Sequence, residues 1–339
     1  MTAQQQLPPP AQMMQTITGV WTSCCIYNAA KLNVAEILVA KPLSIAQLAE
    51  ATHSHAPSLY RLMRALASVG IFAENENGEF ANTPLSETLR GDVPGSMKAV
   101  AIMLLGDHYG PWGNLLYSIK TGGIAFDNFE GMSLWQYYET HPDEGANFMK
   151  AMTNLSNMDI VNLLPAYNFS PYKTIVDIGG GNGALLMTIL KETPGASGIV
   201  FDLEYVVEET EKLINAQGLG ERCKTGGGDF FEAVPEGADA YILKRVLHDW
   251  DDEKALQILK NCAKAMKPGS KVLVLEAVIS EGNTPHPGKF MDMNMMAVAG
   301  GRERTEKEWG TLFTKAGLKL NTVIHTHSPM LSVIEAVKG

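Results

Sequence analysis

Apolar residues recur at helical spacing from Met13 to about Ala101, beginning with the stripe Ile17, Val20, Trp21, Cys24, Cys25, Leu32 and Val34. From Tyr172 onward short apolar runs alternate with helical segments, the arrangement of a parallel α/β sheet. Strands are expected at Thr174 to Ile178, Gly198 to Leu203, Cys223 to Gly226, Asp239 to Leu243, Lys271 to Glu276, Leu320 to His325 and Leu331 to Glu335. Residues 102–170 read as helical and are rich in aromatic and Met side chains. Residues 1–12, with the Pro8-Pro9-Pro10 run, are expected to be a disordered tail. The predicted division is thus a tail (1–12), a helical domain (13–101), a helical linker that also lines the substrate (102–170) and an α/β domain (171–339).

In the helical domain, Leu43 to Glu50 and Pro57 to Leu66 form two short helical patterns. Gly70-Ile71-Phe72-Ala73 and a polar turn through Glu74 to Phe80 follow. Helix, turn, helix and hairpin wing make a winged-helix pattern, so DNA binding must be weighed. Charge speaks against a DNA-binding regulator: between Lys41 and Val100, five bases (Lys41, Arg61, Arg64, Arg90, Lys98) meet six acids (Glu50, Glu74, Glu76, Glu79, Glu87, Asp92). A packing or dimerisation module is the expectation. The stripe from Ile17 to Val34 asks for a partner surface, on a second copy or within the same chain.

Over 339 residues, 27 Lys and Arg against 37 Asp and Glu give a formal net charge of -10, which repels phosphate backbones and anionic membranes. Small molecules are the expected partners, not nucleic acid or membrane. Four cysteines, at 24, 25, 223 and 262, show neither CxxC nor Cys/His ligand spacing, so no disulfide framework and no zinc site is expected. A cytoplasmic location is the expectation, given the cysteines and the lack of a signal-peptide pattern or a long apolar run.

Val176-Asp177-Ile178-Gly179-Gly180-Gly181-Asn182-Gly183 joins the first α/β strand to a helix starting near Ala184, a turn in which glycines let the backbone approach a ligand. Gly179, Gly181 and Ala184 also satisfy the relaxed dinucleotide pattern, which keeps a nicotinamide or flavin enzyme in view. Asp202 and Leu203 end the second strand, where a ribose-binding carboxylate belongs for either cofactor. Gly228, Asp229 and Phe230 end the third and offer a second acid and a ring. Asp177, two residues before the first glycine, suits a cationic amino-acid tail better than a pyrophosphate. Together these residues resemble the S-adenosylmethionine-dependent methyltransferases. The resemblance implies that Lys244 and Trp250 also lie at the cofactor.

Lys244-Arg245-Val246-Leu247-His248-Asp249-Trp250 follows the fourth strand, at the crevice where α/β enzymes place reacting groups. Asp251-Asp252-Glu253 reads as helix capping rather than metal binding. With Glu276 and with Glu303 in Gly300-Gly301-Arg302-Glu303-Arg304-Thr305, the chain resembles over nearly its whole length the caffeic acid, isoflavone and hydroxyindole O-methyltransferase family. That family implies a C-terminal Rossmann-like, doubly wound, mostly parallel seven-stranded sheet and an N-terminal winged-helix dimerisation domain that swaps around its partner in a homodimer. It implies His248 as general base, with Glu276 and Glu303 flanking and orienting the imidazole. Phe148, Met152 and Met295 match acceptor-packing positions, while Asn294 and Asp249 are further substrate candidates. S-adenosylhomocysteine is the implied product and no metal is required. A phenol near pKa ~10 and an imidazole near ~6.5 are mismatched by roughly 5 kcal/mol, so proton transfer is expected to be concerted with attack. N- or S-methylation, or hydroxylation or decarboxylation on the same fold, are the competing readings.

Overall fold

The computed structural model describes residues 7–339, so the expectation for residues 1–6 lies outside the described residues. The chain forms two compact units, and they interleave in sequence. One contains the segment ending at Gly110 together with Tyr137–Leu155; the other contains Pro111–Gln136 and Ser156–Gly339. The stretch 102–170, expected to act as one linker, is therefore shared between the units, and the long helix Pro142–Leu163 passes from one into the other. Among the described residues no helix is long and apolar enough to cross a membrane.

In the first unit the helix Pro9–Lys31 starts inside the segment expected to be disordered. Proline at the first helical positions costs nothing, because those N–H groups have no intrahelical partner. Ala29 and Ala30 at its far end are buried, whereas Ile17 and Trp21 stay 62% and 68% exposed. Next come the strand β1 (Leu43–Ser44), the helices Ile45–Ala51 and Ala56–Ser68, and the wing strands β2 (Phe72–Glu74) and β3 (Glu79–Asn82), ordered β1-β3-β2. Ser44 and Gln47 form a capping box that starts the first of these helices. Leu48, Leu59, Met63, Leu66, Phe72 and Phe80 fill the core.

The second unit is built on a seven-stranded sheet, as expected: β4 (Thr174–Ile178), β5 (Ser197–Asp202), β6 (Cys223–Gly227), β7 (Ala240–Lys244), β8 (Lys271–Glu276), β9 (Leu318–His325) and β10 (Ser332–Lys338). The order is β6-β5-β4-β7-β8-β10-β9, with only β10 antiparallel to its neighbours. Burial alternates as two covered faces require. Val176, Ile178, Tyr241, Leu243, Val272 and Val274 join one core, while Ile175, Ala240, Ile242, Leu273 and Leu275 join the other. The strand order reverses between β4 and β7, and the crevice at such a point is where open α/β sheets bind ligands.

Candidate active site

The turn after β4 carries Gly179, Gly181 and Gly183, all at positive φ. A Cβ on Gly179 would come within 2.8 Å of Val246 Cγ2, so this turn rests directly on the turn after β7. A Cβ on Gly181 would meet nothing within 4 Å, which leaves that side of the turn open to a ligand. Asp202 holds the turn in shape: its Oδ2 accepts the Gly181 N–H at 2.8 Å and its Oδ1 accepts the Leu203 N–H at 2.8 Å. Burial raises the Asp202 carboxyl, with those two N–H groups opposing. Asp177, on β4, is buried and pushed up to about 7 by that burial, with the Lys244 charge opposing. Burial in turn lowers Lys244. The Asp202 main-chain carbonyl accepts the Gly228 N–H at 3.0 Å. Asp229 turns the chain by accepting the Phe231 N–H, and Trp250 sets its ring edge-on to Phe231 at 4.9 Å and to Phe230 at 6.3 Å.

β7 ends at Lys244, and Arg245 then takes φ 53°, a left-handed conformation that costs a non-glycine residue about 1–2 kcal/mol. The side chain holds it there. Its Nε and Nη2 donate to Asp159 at 2.6 and 3.1 Å, and Nη2 also reaches the Met330 carbonyl at 3.3 Å. The reversal leads into a single 3-10 turn, Leu247–Asp249, that carries His248. His248 Nδ1 lies 2.8 Å from Glu303 Oε1, both residues being buried. Burial alone would lower the imidazole, but the charges of Glu303, Asp249 and Glu276 outweigh it and raise His248 to about 9. Asp249 Oδ1 is 3.6 Å from Nε2, and burial raises the Asp249 carboxyl while His248 opposes.

Glu276 differs from the expectation that it holds the imidazole. Its Oε1 accepts three successive main-chain N–H groups, those of Val246, Leu247 and His248, at 3.2, 2.8 and 3.2 Å. It thus fixes the loop rather than the ring, and burial pushes its carboxyl up to about 7 while the His248 charge opposes. Glu303 is itself placed by the Asp292 carboxylate, which accepts the Glu303 N–H at 2.9 Å. Gly301 is required by contact: a Cβ there would sit 2.0 Å from the His248 carbonyl oxygen. Asp251 caps the helix Asp252–Ala265 by accepting the Lys254 N–H, the capping role expected of that acidic run.

Asn294 is buried, and its Oδ1 accepts the Trp112 indole N–H at 2.8 Å; its amide nitrogen meets only Met291 Sδ, at 4.0 Å. Met295, on the same helix Gly288–Val298, is half-buried. Phe148 and Met152 belong to the other unit, where they pack on Ala99, Val100, Met103 and Ala151. There Phe148 stacks on Tyr138 at 4.6 Å. Arg245, Asp159, Trp112 and Asp292 complete the geometry without having been singled out by the sequence for these contacts. Their partners stand far away in the chain and leave no local pattern.

An O-methyltransferase domain matches residues 112–319, and an O-methyltransferase dimerisation domain matches residues 14–92. The phenazine O-methyltransferase of Lysobacter antibioticus is 41% identical over 97% of this chain and 96% of its own. The structure of a mitomycin 7-O-methyltransferase superposes with a TM-score of 0.90 at 35% identity, over 97% of this chain and 98% of that one. An O-methyltransferase from neocarzinostatin biosynthesis, solved with S-adenosylmethionine and 2-hydroxy-5-methyl naphthoic acid, gives a TM-score of 0.83 at 32% identity over 96% and 98%. The chain belongs to the S-adenosylmethionine-dependent O-methyltransferase family and carries that family's dimerisation domain.

Proposed function

We propose that this chain transfers a methyl group from S-adenosylmethionine to a hydroxyl of a small aromatic acceptor, leaving S-adenosylhomocysteine, with His248 as general base. The observation that carries the reading is the 2.8 Å bond between His248 Nδ1 and Glu303 Oε1. It commits one ring nitrogen to a buried carboxylate and leaves Nε2 to receive a proton. The phenazine and mitomycin O-methyltransferases, and the relative solved with a naphthoic acid, support an aromatic acceptor.

The residues present fit the cofactor. The turn through Gly179, Gly181 and Gly183 is open above Gly181, and Asp202 keeps a free lone pair on each oxygen for ribose hydroxyls. Asp177 and Lys244 would take the amino-acid end, and Leu203, Gly228, Asp229, Phe230 and Trp250 the adenosine end. When bound, S-adenosylmethionine supplies a methyl group on a positively charged sulfur. His248 takes the hydroxyl proton, Glu303 holds the ring and stabilises its charged form, and Glu276 fixes the main chain beneath it. The neighbouring carboxylates raise His248 and so narrow its mismatch with a phenol. Proximity supplies much of the remaining advantage, up to roughly 7–11 kcal/mol for a well-aligned pair.

Asp249, Asn294 and Met295 are proposed to line the acceptor site. The chain is proposed to pair as a homodimer through its N-terminal domain, on the exposed face around Ile17 and Trp21. Transfer of labelled methyl to a panel of phenols, quinols, hydroxyindoles, aromatic amines and thiols tests the reading. Labelled ethers are expected. Products on nitrogen or sulfur alone would replace the acceptor, and cofactor binding without transfer to any acceptor would point to a non-methylating relative.

A further inference from the structure

We infer that Arg304 is a positioning residue for the His248–Glu303 pair, tying the main chain on both sides of the histidine to the segment that carries the glutamate. Its side chain is 1% exposed and spends its donors on main-chain carbonyls and one acid. Nη1 donates to the carbonyls of Leu247 at 3.1 Å and Arg302 at 3.3 Å; Nη2 donates to that of Trp250 at 3.1 Å; Nε donates to Asp252 Oδ1 at 3.0 Å. The Trp309 ring lies beneath it, 5.2 Å from the guanidinium carbon. Leu247 and Trp250 bracket His248, and Arg304 directly follows Glu303. One planar group therefore joins the loop bearing the ring to the segment bearing the carboxylate.

Other contacts register the same two pieces. The Arg302 N–H donates to the His248 carbonyl at 2.9 Å, and the Ile279 N–H donates to the Arg304 carbonyl at 3.1 Å just beyond β8. Glu276 grips the N–H side of the histidine loop, and Arg304 grips its carbonyl side. A guanidinium can do this because its donors diverge in a fixed plane; an ammonium is a single point with the same charge. Loss of the fork is expected to let ring and carboxylate drift, and a drift of ~1 Å can cost ~10²-fold in rate.

The inference rests on His248 being the base, so His248→Ala is run beside Arg304→Lys, Arg304→Gln and Asp252→Asn in the full-length protein. Both Arg304 variants are expected to lose ~10²-fold in kcat, with the KM for S-adenosylmethionine within about threefold. Lysine is expected not to rescue, and the pH limb of kcat is expected to move toward the ordinary imidazole range as Glu303 loses its hold. A purely structural role would reduce the folded fraction and leave that limb in place. Asp252, whose side chain is 53% exposed, anchors only the outer edge of the guanidinium. Asp252→Asn is expected to shift the limb less but in the same direction, and it supplies the readout should the Arg304 variants not fold. Wild-type kcat and pH limb in folded Arg304 variants, or in Asp252→Asn where those do not fold, would overturn the inference. Full activity in His248→Ala would instead remove the base, and the inference with it.

Discussion

Glu276 Oε1 accepts the main-chain N–H of His248 at 3.2 Å, together with those of Leu247 and Val246, and makes no hydrogen bond to the ring. The two glutamates of the site therefore have separate tasks. Glu303 binds the imidazole, and Glu276 holds the loop in the shape that points the imidazole at Glu303.

This separation is testable with Glu276→Ala, which strips three buried N–H groups of their acceptor. Leaving a buried N–H without its acceptor costs about 1–3 kcal/mol, so for three such groups a stability loss of about 3 kcal/mol or more in urea denaturation is expected, with kcat down ~10²-fold. Glu276→Gln keeps a carbonyl acceptor and is expected to lose less on both counts. Equal losses in the two variants would contradict the loop-holding role.

The pH dependence of kcat/KM follows from the raised imidazole. A base must be neutral to accept a proton, so activity is expected to climb with pH until His248 is deprotonated, at about 9 in the free enzyme. Glu303→Gln removes the largest raising charge. Its limb is expected to move down toward ~6.5 while its plateau falls, because the ring is less firmly held. A limb that stays in place would separate Glu303 from the histidine's titration.

Much of this architecture was legible in the sequence, for reasons particular to certain residues. Strands buried on both faces carry near-continuous apolar runs, so the stretches Ile175-Val176, Tyr241 to Leu243 and Val272 to Leu275 announce β4, β7 and β8. A turn at positive φ needs glycine, so Gly179, Gly181 and Gly183 stand out. The role of Glu276 was not legible, since every residue before it and after it offers the same N–H group. Arg304 was hidden for the same reason, because the Leu247 and Trp250 carbonyls that accept from it lie more than fifty positions away. The interleaving of the two units was hidden as well: 111–136 and 137–155 carry the same helical periodicity but fold into different units.

Asp177, proposed to hold the amino-acid end of the cofactor, also makes stability depend on pH. Its carboxyl sits at about 7 in the folded protein because of burial, with Lys244 opposing, against ~3.9 when unfolded. The folded state therefore holds the proton more tightly, and this contribution to stability is lost as pH rises from ~4 through about 7. Asp177→Asn stays neutral, so its Tm is expected to fall less across that window and to exceed the parent's above it, while its affinity for S-adenosylmethionine drops. Thermal scans from pH ~5 to ~8 check this; a variant whose Tm tracks the parent's would contradict the burial argument.

The exposed face of the first helix is the expected dimer surface. Trp21 is 68% exposed, and placing a charge there with Trp21→Glu is expected to raise the dimer dissociation constant at least ~10-fold in analytical ultracentrifugation, with the fold intact. An unchanged dimer would move the interface to another face.

The central claim, that His248 is the base, is tested most directly by single-turnover methyl transfer with His248→Ala, with cofactor affinity measured on the same preparation. A drop of ~10²-fold or more in ether formation, with the Kd for S-adenosylmethionine within about twofold, is the predicted result. Ether formation near the wild-type rate would contradict it.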